Sequence, residues 1–398
     1  MDHEVIVVGG GVVGLSTALH LSRRTDLDVA VVEKEHHLAS HQSGRNSGVL
    51  HPGFNYEPGS LKARFATEGT SRMKAYCREH DVPLREFGVV VVAQDRQEER
   101  RLEDLREQAE ANGATAEILD EDELEEREPH ARGRAALYAP EAASVDSQQY
   151  VYQLARDAQA EGVDLYVGTT VETIGHEDGG YRVDTSHGPF HADFLVNAAG
   201  LYADDLADQV GVGGDYQIVP FRGEYYELVA DRRDLVNTMV YPTPDPDLPF
   251  LGVHYTRRTD DKVIIGPNAV LAFGREAYEN TSVNLRELAD TLGYGGFWKL
   301  LASPKMLRVA GAELGKSYRK ERFAEAARRL VPSVTADDLV PSYAGIRAQI
   351  VSDDGELIKD PLFVEDDDAI HVLNAVSPGL TASLPFGDHL AERIESAF

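Results

Sequence analysis

Three glycines near the start of the chain have the spacing of a dinucleotide-binding turn. They follow the apolar run at residues 5–8, which predicts a strand buried on both faces, and they open a helical pattern. The first glycine permits a tight turn, the second lets a pyrophosphate approach the backbone, and the third lets the helix pack against the sheet. The amides at the helix N-terminus form an anion site. The predicted contacts in this turn are Gly9, Gly11, Val12, Val13 and Gly14.

An acidic residue stands where a bound dinucleotide would present its ribose. The run 29–32 predicts the second strand, which ends at Glu33 and is followed by Lys34. A carboxylate at this place suits the two ribose hydroxyls and disfavours a 2′-phosphate. An ordinary glycine-rich turn is the alternative, because the glycine motif alone is weak. Strand, helix, second strand and acid in register favour dinucleotide binding, with Glu33 and Lys34 among the contacts.

The segment at residues 39–53 is a second part of the predicted site. It is rich in small and polar residues and is too polar for a core. A long loop inside a compact domain is usually functional, and this loop leaves the sheet where a pyrophosphate would lie. We therefore expect it to line the dinucleotide site. Its predicted contacts are His41, Gln42, Ser43, Gly44, Asn46, Ser47 and Gly48.

Later segments are predicted to return to the same edge of the sheet. The run 163–171 predicts a further parallel strand, and the run 194–200 ends in small residues that leave space for a ligand. A last helix is predicted to begin with Ser377 as N-cap and Pro378 as its first residue, exposing the amides that follow. The predicted contacts in these later segments are Val171, Ala198, Ala199, Gly200, Gly345, Gly379, Leu380 and Thr381.

The middle of the chain alternates between strand and helix patterns that do not continue the predicted parallel sheet. A hairpin is predicted to turn at residues 177–180, and residues 95–128 predict a charged, solvated helix. Alternating strands followed by helices between residues 215 and 335 indicate a second domain with an antiparallel sheet. Its predicted strands are 222–229, 237–241, 249–256 and 262–267.

Net charge excludes one class of partner and suggests an environment. The 398 residues include 68 acids and 39 bases, for a net charge of −29. Such a surface repels nucleic acid, because binding to phosphates needs clustered bases. It is typical of a protein from a high-salt cytoplasm, where screening suppresses self-repulsion. An acidic protein from an ordinary cell is the alternative.

Cysteine, histidine and hydropathy patterns exclude further classes. Cys77 is the only cysteine, so an intrachain disulfide cannot form, and the histidines show no metal-ligand spacing. The N-terminus runs directly into the first strand, which leaves no room for a signal peptide, and no apolar run approaches the roughly eighteen residues of a membrane helix. We therefore expect a soluble cytoplasmic protein without a metal.

Motifs from both ends of the chain resemble the FAD-dependent D-amino-acid oxidase superfamily. They are the glycine-rich start, the step at residues 197–200 and the strand at residues 344–347. Completion of the site by about the last sixty residues is unlike a nicotinamide dehydrogenase, whose cofactor domain is usually contiguous. Within the superfamily the chain is most similar to the L-2-hydroxyglutarate oxidase/dehydrogenase family. The stretches that carry this similarity are 43–51, 58–63, 220–225, 249–254, 266–273 and 343–349.

The resemblance implies an α/β fold with two domains. A Rossmann-like FAD-binding domain with a parallel sheet would be joined to an α+β substrate domain with an antiparallel sheet. The FAD-binding domain would comprise residues 1–85, 145–214 and 336–398, and the substrate domain residues 86–144 and 215–335. The lone cysteine is predicted to lie on a helix outside the flavin loop, so we expect FAD to be bound without a thioether link.

The same resemblance implies the reaction. It is oxidation of L-2-hydroxyglutarate to 2-oxoglutarate, with electrons passed to oxygen or a quinone. The alternatives on the same fold are oxidation of glycine, an N-methyl or D-amino acid, or glycerol 3-phosphate. An alternative of another class is a redox-silent flavin-binding subunit, and peripheral contact with a membrane stays open. The chain departs from the family at Arg45, Asn55 and Glu57, where the family often has histidine, tyrosine and lysine, so the fold is better supported than the substrate.

Oxidation of a 2-hydroxy acid moves a hydride to flavin N5 and a hydroxyl proton to a base. Histidine is the natural base near neutral pH, and His254 is the first candidate and His51 the second. The alternative for either is a hydrogen-bonded histidine that shapes the pocket. Arg347 should hold the 2-carboxylate by a two-point contact, as the resemblance also implies. The far carboxylate requires a second cation, and the sequence cannot rank Arg222, Arg45 and Lys62.

The charge of the chain predicts its response to salt. At low ionic strength, repulsion among the acids should destabilise the fold, and in molar salt the Debye length falls to about 3 Å. We expect the melting temperature to climb as potassium chloride is raised to about 2 M in a thermal melt. A flat profile over that range would contradict a high-salt origin.

Overall fold

A computed structural model gives the fold of the protein. It describes residues 1–177, 179–245, 251–302, 304–366, 368–375 and 377–398. One residue of the expected hairpin turn, Asp178, and the start of the expected strand 249–256 lie outside the described residues. The other residues of the predicted motifs lie within them.

Strands make up two large sheets and one small one. Over the described residues they are β1 Asp2–Val8, β2 Val29–Val32, β3 Val49–Leu50, β4 Leu84–Arg85, β5 Val89–Ala93, β6 Glu117–Leu119, β7 Ala135–Ala139, β8 Ala143–Val145, β9 Asp164–Tyr166, β10 Val171–Glu177, β11 Gly180–Thr185, β12 Gly188–Asn197, β13 Tyr216–Leu228, β14 Met239–Pro242, β15 His254–Arg257, β16 Val263–Gly266, β17 Val270–Leu271, β18 Leu339–Ser352, β19 Leu362–Asp366 and β20 Ala369–Asn374.

Helices cover these sheets. Over the same residues they are α1 Val12–Arg24, α2 Leu61–Glu79, α3 Arg96–Ala111, α4 Glu121–Arg127, α5 Ser147–Ala160, α6 Ala203–Gln209, α7 Leu285–Gly293, α8 Gly295–Leu301, α9 Pro304–Tyr318, α10 Lys320–Ala327 and α11 Ser383–Glu395, with 3₁₀ turns at Gly200–Tyr202, Ala230–Leu235 and Ala336–Asp338. Among them, no helix combines the length and the apolar character needed to cross a bilayer.

The first sheet is the expected nucleotide-binding layer. β1 pairs in parallel with β2 and β12, β2 with β9, and β12 with β20. The hairpin β10–β11 and strand β19 add antiparallel edges. β2 is buried along its whole length, and the core beneath the sheet is filled by α1, α2, α5 and α11. The predicted parallel sheet is confirmed.

Cys77 lies inside that core on α2, as expected. Burial raises the pKa of its thiol to about 12. The thiolate is the nucleophilic form, so this thiol is inert at neutral pH.

The second sheet is mostly antiparallel, with the order β17–β13–β16–β15–β14–β5–β7–β6 and with β18 beside β13. β13 and β18 pair antiparallel along nearly their whole lengths, from Tyr216↔Ser352 to Leu228↔Leu339. Residues 339–352 therefore belong to this sheet, whereas the expected boundary returned the chain to the first domain at residue 336. The return occurs at β19, because the hydrogen bonds of β18 are made with β13.

Two expected segments are shorter than predicted. The single helix expected over residues 95–128 is divided into helix α3, strand β6 and helix α4. The division occurs because Gly113, at φ +73°, ends the first helix and Asp120 caps the second. The strand expected over residues 163–171 is only β9. The chain then turns through Gly168 at φ +65° and starts the antiparallel β10 at Val171.

The last helix begins at Ser383, not at Pro378 as expected. Residues 379–382 form turns, and the Ala382 amide donates to the Pro378 carbonyl oxygen at 2.9 Å. Thr381 is held by β3: its hydroxyl donates to the Val49 carbonyl at 3.3 Å and accepts from the His51 amide at 3.1 Å. These tertiary contacts keep the segment out of the helix, so the amides of residues 379–381 do not form a helix N-terminus.

Candidate active site

The glycine turn has the geometry that its sequence predicts. Gly9 has φ +111°, and a β-carbon there would lie 2.4 Å from the carbonyl oxygen of Ala198. A β-carbon at Gly14 would lie 2.0 Å from the carbonyl oxygen of Gly9. Both distances are shorter than any van der Waals contact, so these positions require glycine. The turn thus packs against the end of β12 and directs the first amides of α1 along the edge of the sheet.

Glu33 lies at the end of β2, beside the glycine turn. Its carboxylate accepts hydrogen bonds from the Gly10 amide at 2.8 Å and the Glu35 amide at 2.9 Å. Those bonds hold the acid where the ribose of a dinucleotide would lie. The link before Val171 runs alongside, with the Thr169 amide donating to the Glu33 carbonyl at 2.9 Å.

Lys34 and His41, two predicted contacts, lie in an ion-pair cluster next to Glu33. The Lys34 ammonium contacts His41 Nε2 at 2.8 Å, Glu276 at 2.6 Å and Glu35. Hydrogen bonds from Lys34 and His41 lower the pKa of Glu35 to about 2. This cluster joins the nucleotide-binding layer to the segment that carries Glu276, and the contact of Lys34 and His41 with a cofactor stays a prediction.

Asn46 shapes the flavin loop, which we define as residues 39–53. Its side-chain amide donates to the carbonyls of Gln42 at 3.0 Å and Ser43 at 2.8 Å, and its oxygen accepts from the Gly48 amide at 2.8 Å. The Ser43 hydroxyl accepts from the Val12 amide at 3.0 Å, so the loop meets the N-terminus of α1. The predicted loop contacts therefore converge on the glycine turn.

Other predicted contacts close the same region. A β-carbon at Gly345 would lie 2.2 Å from the Arg45 carbonyl oxygen, one at Gly44 would lie 2.0 Å from the Ala39 carbonyl oxygen, and one at Gly200 would lie 2.9 Å from the Gln42 side-chain oxygen. Backbone approaches this close require glycine at these positions and bring the flavin loop against β18 and the end of β12. With helix amides for a pyrophosphate and a carboxylate for a ribose, these residues fit FAD.

A cluster of polar rings lies between the flavin loop and the second sheet. His51 follows β3, Tyr241 lies on β14 and His254 begins β15. The ring centroids of His51 and Tyr241 are 6.2 Å apart, and those of Tyr241 and His254 are 4.3 Å apart. Arg347 on β18 acts electrostatically on both His254 and Tyr225. The structure thus brings together all three predicted catalytic residues.

Both histidines are neutral at pH 7. Burial is the largest cause that lowers the pKa of His254, to about 3; a hydrogen bond to the Gly252 carbonyl partly opposes it, and His51 and Arg347 add to it. Burial followed by the charge of Lys62 lowers the pKa of His51 to about 4. His254 Nδ1 lies 2.8 Å from the Gly252 carbonyl oxygen, so Nδ1 carries the proton and Nε2 offers the lone pair.

Several of these side chains are partly exposed to solvent, yet their ionisable groups are strongly desolvated. His51, Tyr56, Lys62 and Arg347 keep partial contact with solvent, yet burial is the largest cause of the pKa shift of each. Lys62 lies over the ring of Tyr56, and its charge acts on His51, which is next to Tyr241 and His254. We propose that these residues, together with Arg347, line the substrate cavity.

The three candidate cations for a distal carboxylate differ in their partners. Arg222 is buried and donates to the carbonyls of Ala277 at 3.3 Å and Glu279 at 2.9 Å, and to the side chains of Glu224 and Asn280. Because the fold already uses these donors, Arg222 does not suit a substrate carboxylate.

Arg45 is also engaged by the protein. It donates to the carbonyls of Ser40 at 2.8 Å and Ala344 at 3.4 Å and stacks 4.2 Å from the ring of Tyr278. Lys62 has a single hydrogen bond among the described residues, to the Lys359 carbonyl at 3.4 Å. Lys62 is therefore the least engaged of the three.

Sequence reasoning missed the tyrosines of the cavity. Tyr241 lies between the two histidines, Tyr225 is hydrogen-bonded to Ser47, and Tyr56 lies beneath Lys62. Tyr225 and Tyr241 lie within predicted strands, but nothing in their spacing separates a cavity tyrosine from a core tyrosine. Only the fold brings them together.

Comparison with known proteins agrees with this geometry. The family model described as FAD dependent oxidoreductase matches residues 4–393. An L-2-hydroxyglutarate dehydrogenase of Indibacter alkaliphilus is 40% identical over 395 residues, covering 98% of each chain. One of Escherichia coli K12 is 37% identical over 396 residues, covering 99% of this chain and 93% of its own.

Solved structures show the same fold. The FAD-bound L-alpha-glycerophosphate oxidase of Mycoplasma pneumoniae has a TM-score of 0.78 at 26% identity, covering 100% of this chain and 95% of its own. Glycine oxidase of Geobacillus kaustophilus has a TM-score of 0.73 at 22% identity, covering 100% and 96%, and shows the fold alone. The resemblance inferred from the sequence, its fold class and its cofactor are confirmed: the chain belongs to the family of FAD-dependent oxidoreductases.

Proposed function

We propose that this enzyme oxidises L-2-hydroxyglutarate to 2-oxoglutarate. The observation that carries the proposal is the placement of a buried, neutral His254 where the charge of Arg347 acts on it, beside the flavin loop. A 2-hydroxy acid needs a base for its hydroxyl and a cation for its carboxylate, and this pair meets both needs. The names of the relatives in bacteria and animals support the same substrate.

FAD would lie along the groove that begins at the glycine turn. The amides of Val12 and Val13 would hold its pyrophosphate and Glu33 its ribose, with the flavin loop, residues 198–200, Gly345 and residues 379–381 completing the groove. When bound, the flavin supplies the acceptor for the two electrons of the substrate, which pass to oxygen or a quinone. We place the reaction in the cytoplasm, in keeping with the acidic composition.

Arg347 would orient the substrate. Its planar guanidinium can hold both oxygens of the 2-carboxylate, which fixes the rotation of the carbinol carbon in the cavity. Arg347 lies on a strand of the second sheet, so it is positioned by the β13–β18 ladder and not by a mobile loop. Fixing orientation in this way accounts for a large part of many enzymatic rate enhancements.

His254 would accept the hydroxyl proton at Nε2. Its Nδ1 is committed to the Gly252 carbonyl, and its lowered pKa keeps Nε2 unprotonated at neutral pH. His51, on the other side of Tyr241, is the alternative base. It lies on the flavin loop, and no described side-chain hydrogen bond fixes its tautomer.

The direct test is anaerobic bleaching of the yellow protein. We expect L-2-hydroxyglutarate to bleach the flavin band and the D enantiomer to leave it unchanged. Contacts of the carboxylate with Arg347, of the hydroxyl with His254 and of the carbinol hydrogen with the flavin would accept only one configuration, and the names of the relatives indicate L. Glycine, sarcosine, a D-amino acid and glycerol 3-phosphate serve as the comparison panel. Bleaching by one of these and not by L-2-hydroxyglutarate would assign another substrate, and bleaching by none would support a redox-silent subunit.

For His254→Ala we expect the anaerobic rate of flavin reduction to fall by about a hundredfold to ten-thousandfold, with substrate binding changed less. In the wild type, kcat/KM should show no loss around pH 6.5, because kcat/KM reports the free enzyme, in which the pKa of His254 is lowered to about 3. His51→Ala is the matched comparison and should cause the smaller loss. A normal rate in His254→Ala would transfer the role to His51 or to water.

For Arg347→Lys we expect a large loss of flavin-reduction rate with FAD at full occupancy, because one point of contact no longer fixes the carbinol hydrogen. Arg347→Ala should also weaken substrate binding, since the carboxylate is then desolvated without a partner. Stopped-flow rates and melting temperatures are measured for both variants. A near-normal lysine variant beside a less stable alanine variant would mean that Arg347 serves only the fold.

A further inference from the structure

We propose that Lys62 binds the distal carboxylate of the substrate and thereby makes the enzyme select a dicarboxylate over a 2-hydroxy monoacid. The inference rests on the proposed function and names the residue that sets its specificity. Four observations carry it: the position of Lys62 relative to Arg347, its poor engagement by the protein, its place on a helix, and the engagement of the competing cations.

Three rings connect the surroundings of the two cations. The ring centroids of His51 and Tyr241 are 6.2 Å apart, and those of Tyr241 and His254 are 4.3 Å apart. The charge of Lys62 acts on His51 at one end of this row, and the charge of Arg347 acts on His254 at the other end. A substrate with one carboxylate at Arg347 and its carbinol carbon beside the histidines would therefore point its remaining carbons towards Lys62.

The contacts that Lys62 makes within the protein are few and weak. Its ammonium lies 4.9 Å above the ring of Tyr56, and its hydrogen bond to the Lys359 carbonyl is long at 3.4 Å. Among the described residues it forms no ion pair with Asp360, the acid whose charge acts on it. A largely desolvated ammonium with one weak partner is unfavourable unless an anion joins it.

The helix position adds to this unfavourable balance. Lys62 is the second residue of α2, in the first turn after the N-cap Ser60. The N-terminus of a helix carries a partial positive charge, so a lysine is disfavoured there, whereas a bound carboxylate is favoured by both the lysine and the helix. Consistent with this environment, burial, followed by the opposing charge of Asp360 and the charge of Lys359, lowers the pKa of Lys62 to about 8.

The competing cations are already committed. Arg222 donates to two carbonyls and two side chains of the fold, and Arg45 donates to two carbonyls and stacks on Tyr278. Moving either one to a substrate would leave buried protein acceptors without donors, which costs stability. Lys62 can turn to a carboxylate at the expense of only the long bond to the Lys359 carbonyl and the contact with the Tyr56 ring.

The test compares a diacid with a monoacid in matched variants. The substrates are L-2-hydroxyglutarate and L-2-hydroxybutyrate, and the variants are Lys62→Met and Lys359→Met, whose side chain is exposed on the neighbouring loop. For Lys62→Met we expect kcat/KM for the diacid to fall about 30-fold or more, as for a lost buried charge pair, and that for the monoacid to change by less than about threefold. Lys359→Met should leave both unchanged, and Lys62→Arg should keep part of the preference.

Binding of unreactive ligands separates recognition from turnover. Glutarate and butyrate lack the hydroxyl, and their Kd can be measured by calorimetry or by the change they cause in the flavin spectrum. The Lys62→Met substitution should weaken the binding of glutarate and leave the binding of butyrate unchanged. In the wild type, glutarate binding should weaken as pH rises through about 8, because the neutral amine loses its attraction, and Lys62→Met should lack this dependence.

Melting temperature and flavin content show whether each variant is folded. Equal losses for the diacid and the monoacid in a folded Lys62→Met protein would overturn the inference while leaving the proposed function intact. Failure of the wild type to oxidise L-2-hydroxyglutarate would overturn the proposed function and, with it, this role for Lys62. A Lys359→Met variant that lost the diacid preference would transfer the role to that neighbour.

Discussion

The site depends on the pairing of β18 with β13, because this ladder carries the second sheet into the flavin loop. Alternate residues of a strand share a face, so Tyr343, Gly345 and Arg347 project in the same direction. The Tyr343 hydroxyl donates to the Asn46 carbonyl at 2.6 Å, and Gly345 leaves room for the Arg45 backbone. Two contacts thus fix the strand against the loop, and the third residue of the same face enters the cavity. A shift of β18 by one residue would turn Arg347 away from His254.

The charges of the cavity couple base strength to substrate binding. Burial holds His254 and His51 neutral, and the nearby cations Arg347 and Lys62 reinforce this effect. A bound anion offsets those positive charges and so raises the pKa of the histidines. The histidine that accepts the proton is therefore a stronger base when the substrate is bound. Without the substrate, both histidines stay unprotonated at neutral pH. Under the proposed function, a diacid offsets both cations and a monoacid only one.

Local features were predictable from the sequence, and features set by distant contacts were not. The glycine turn and Glu33 depend on neighbours in the chain, and the structure places them as expected. The sheet to which β18 belongs depends on β13, more than a hundred residues earlier. The start of the last helix depends on the contact of Thr381 with β3, which no local pattern encodes.

The same distinction separates the site residues that the sequence could predict from those that it could not. His254, His51 and Arg347 could be named because their side chains suit the chemistry, and the family resemblance marked the stretches that contain them. Tyr241 could not be named, because its place between the histidines is set by strands β14 and β15 together. Lys62 could not be ranked above Arg222, because the difference lies in how many acceptors the fold supplies to each cation.

The charges of this protein act on an anionic substrate in two ways, at long range and at short range. The protein has a net charge of −29, which repels a dianion at long range. At short range, the two cations that we propose to bind the substrate, Lys62 and Arg347, would attract it. Salt screens exposed charges beyond a Debye length and screens buried ones much less. Molar salt would therefore remove most of the repulsion during approach and leave most of the attraction inside. In such a medium, an acidic surface and an anion-binding cavity are compatible in one molecule.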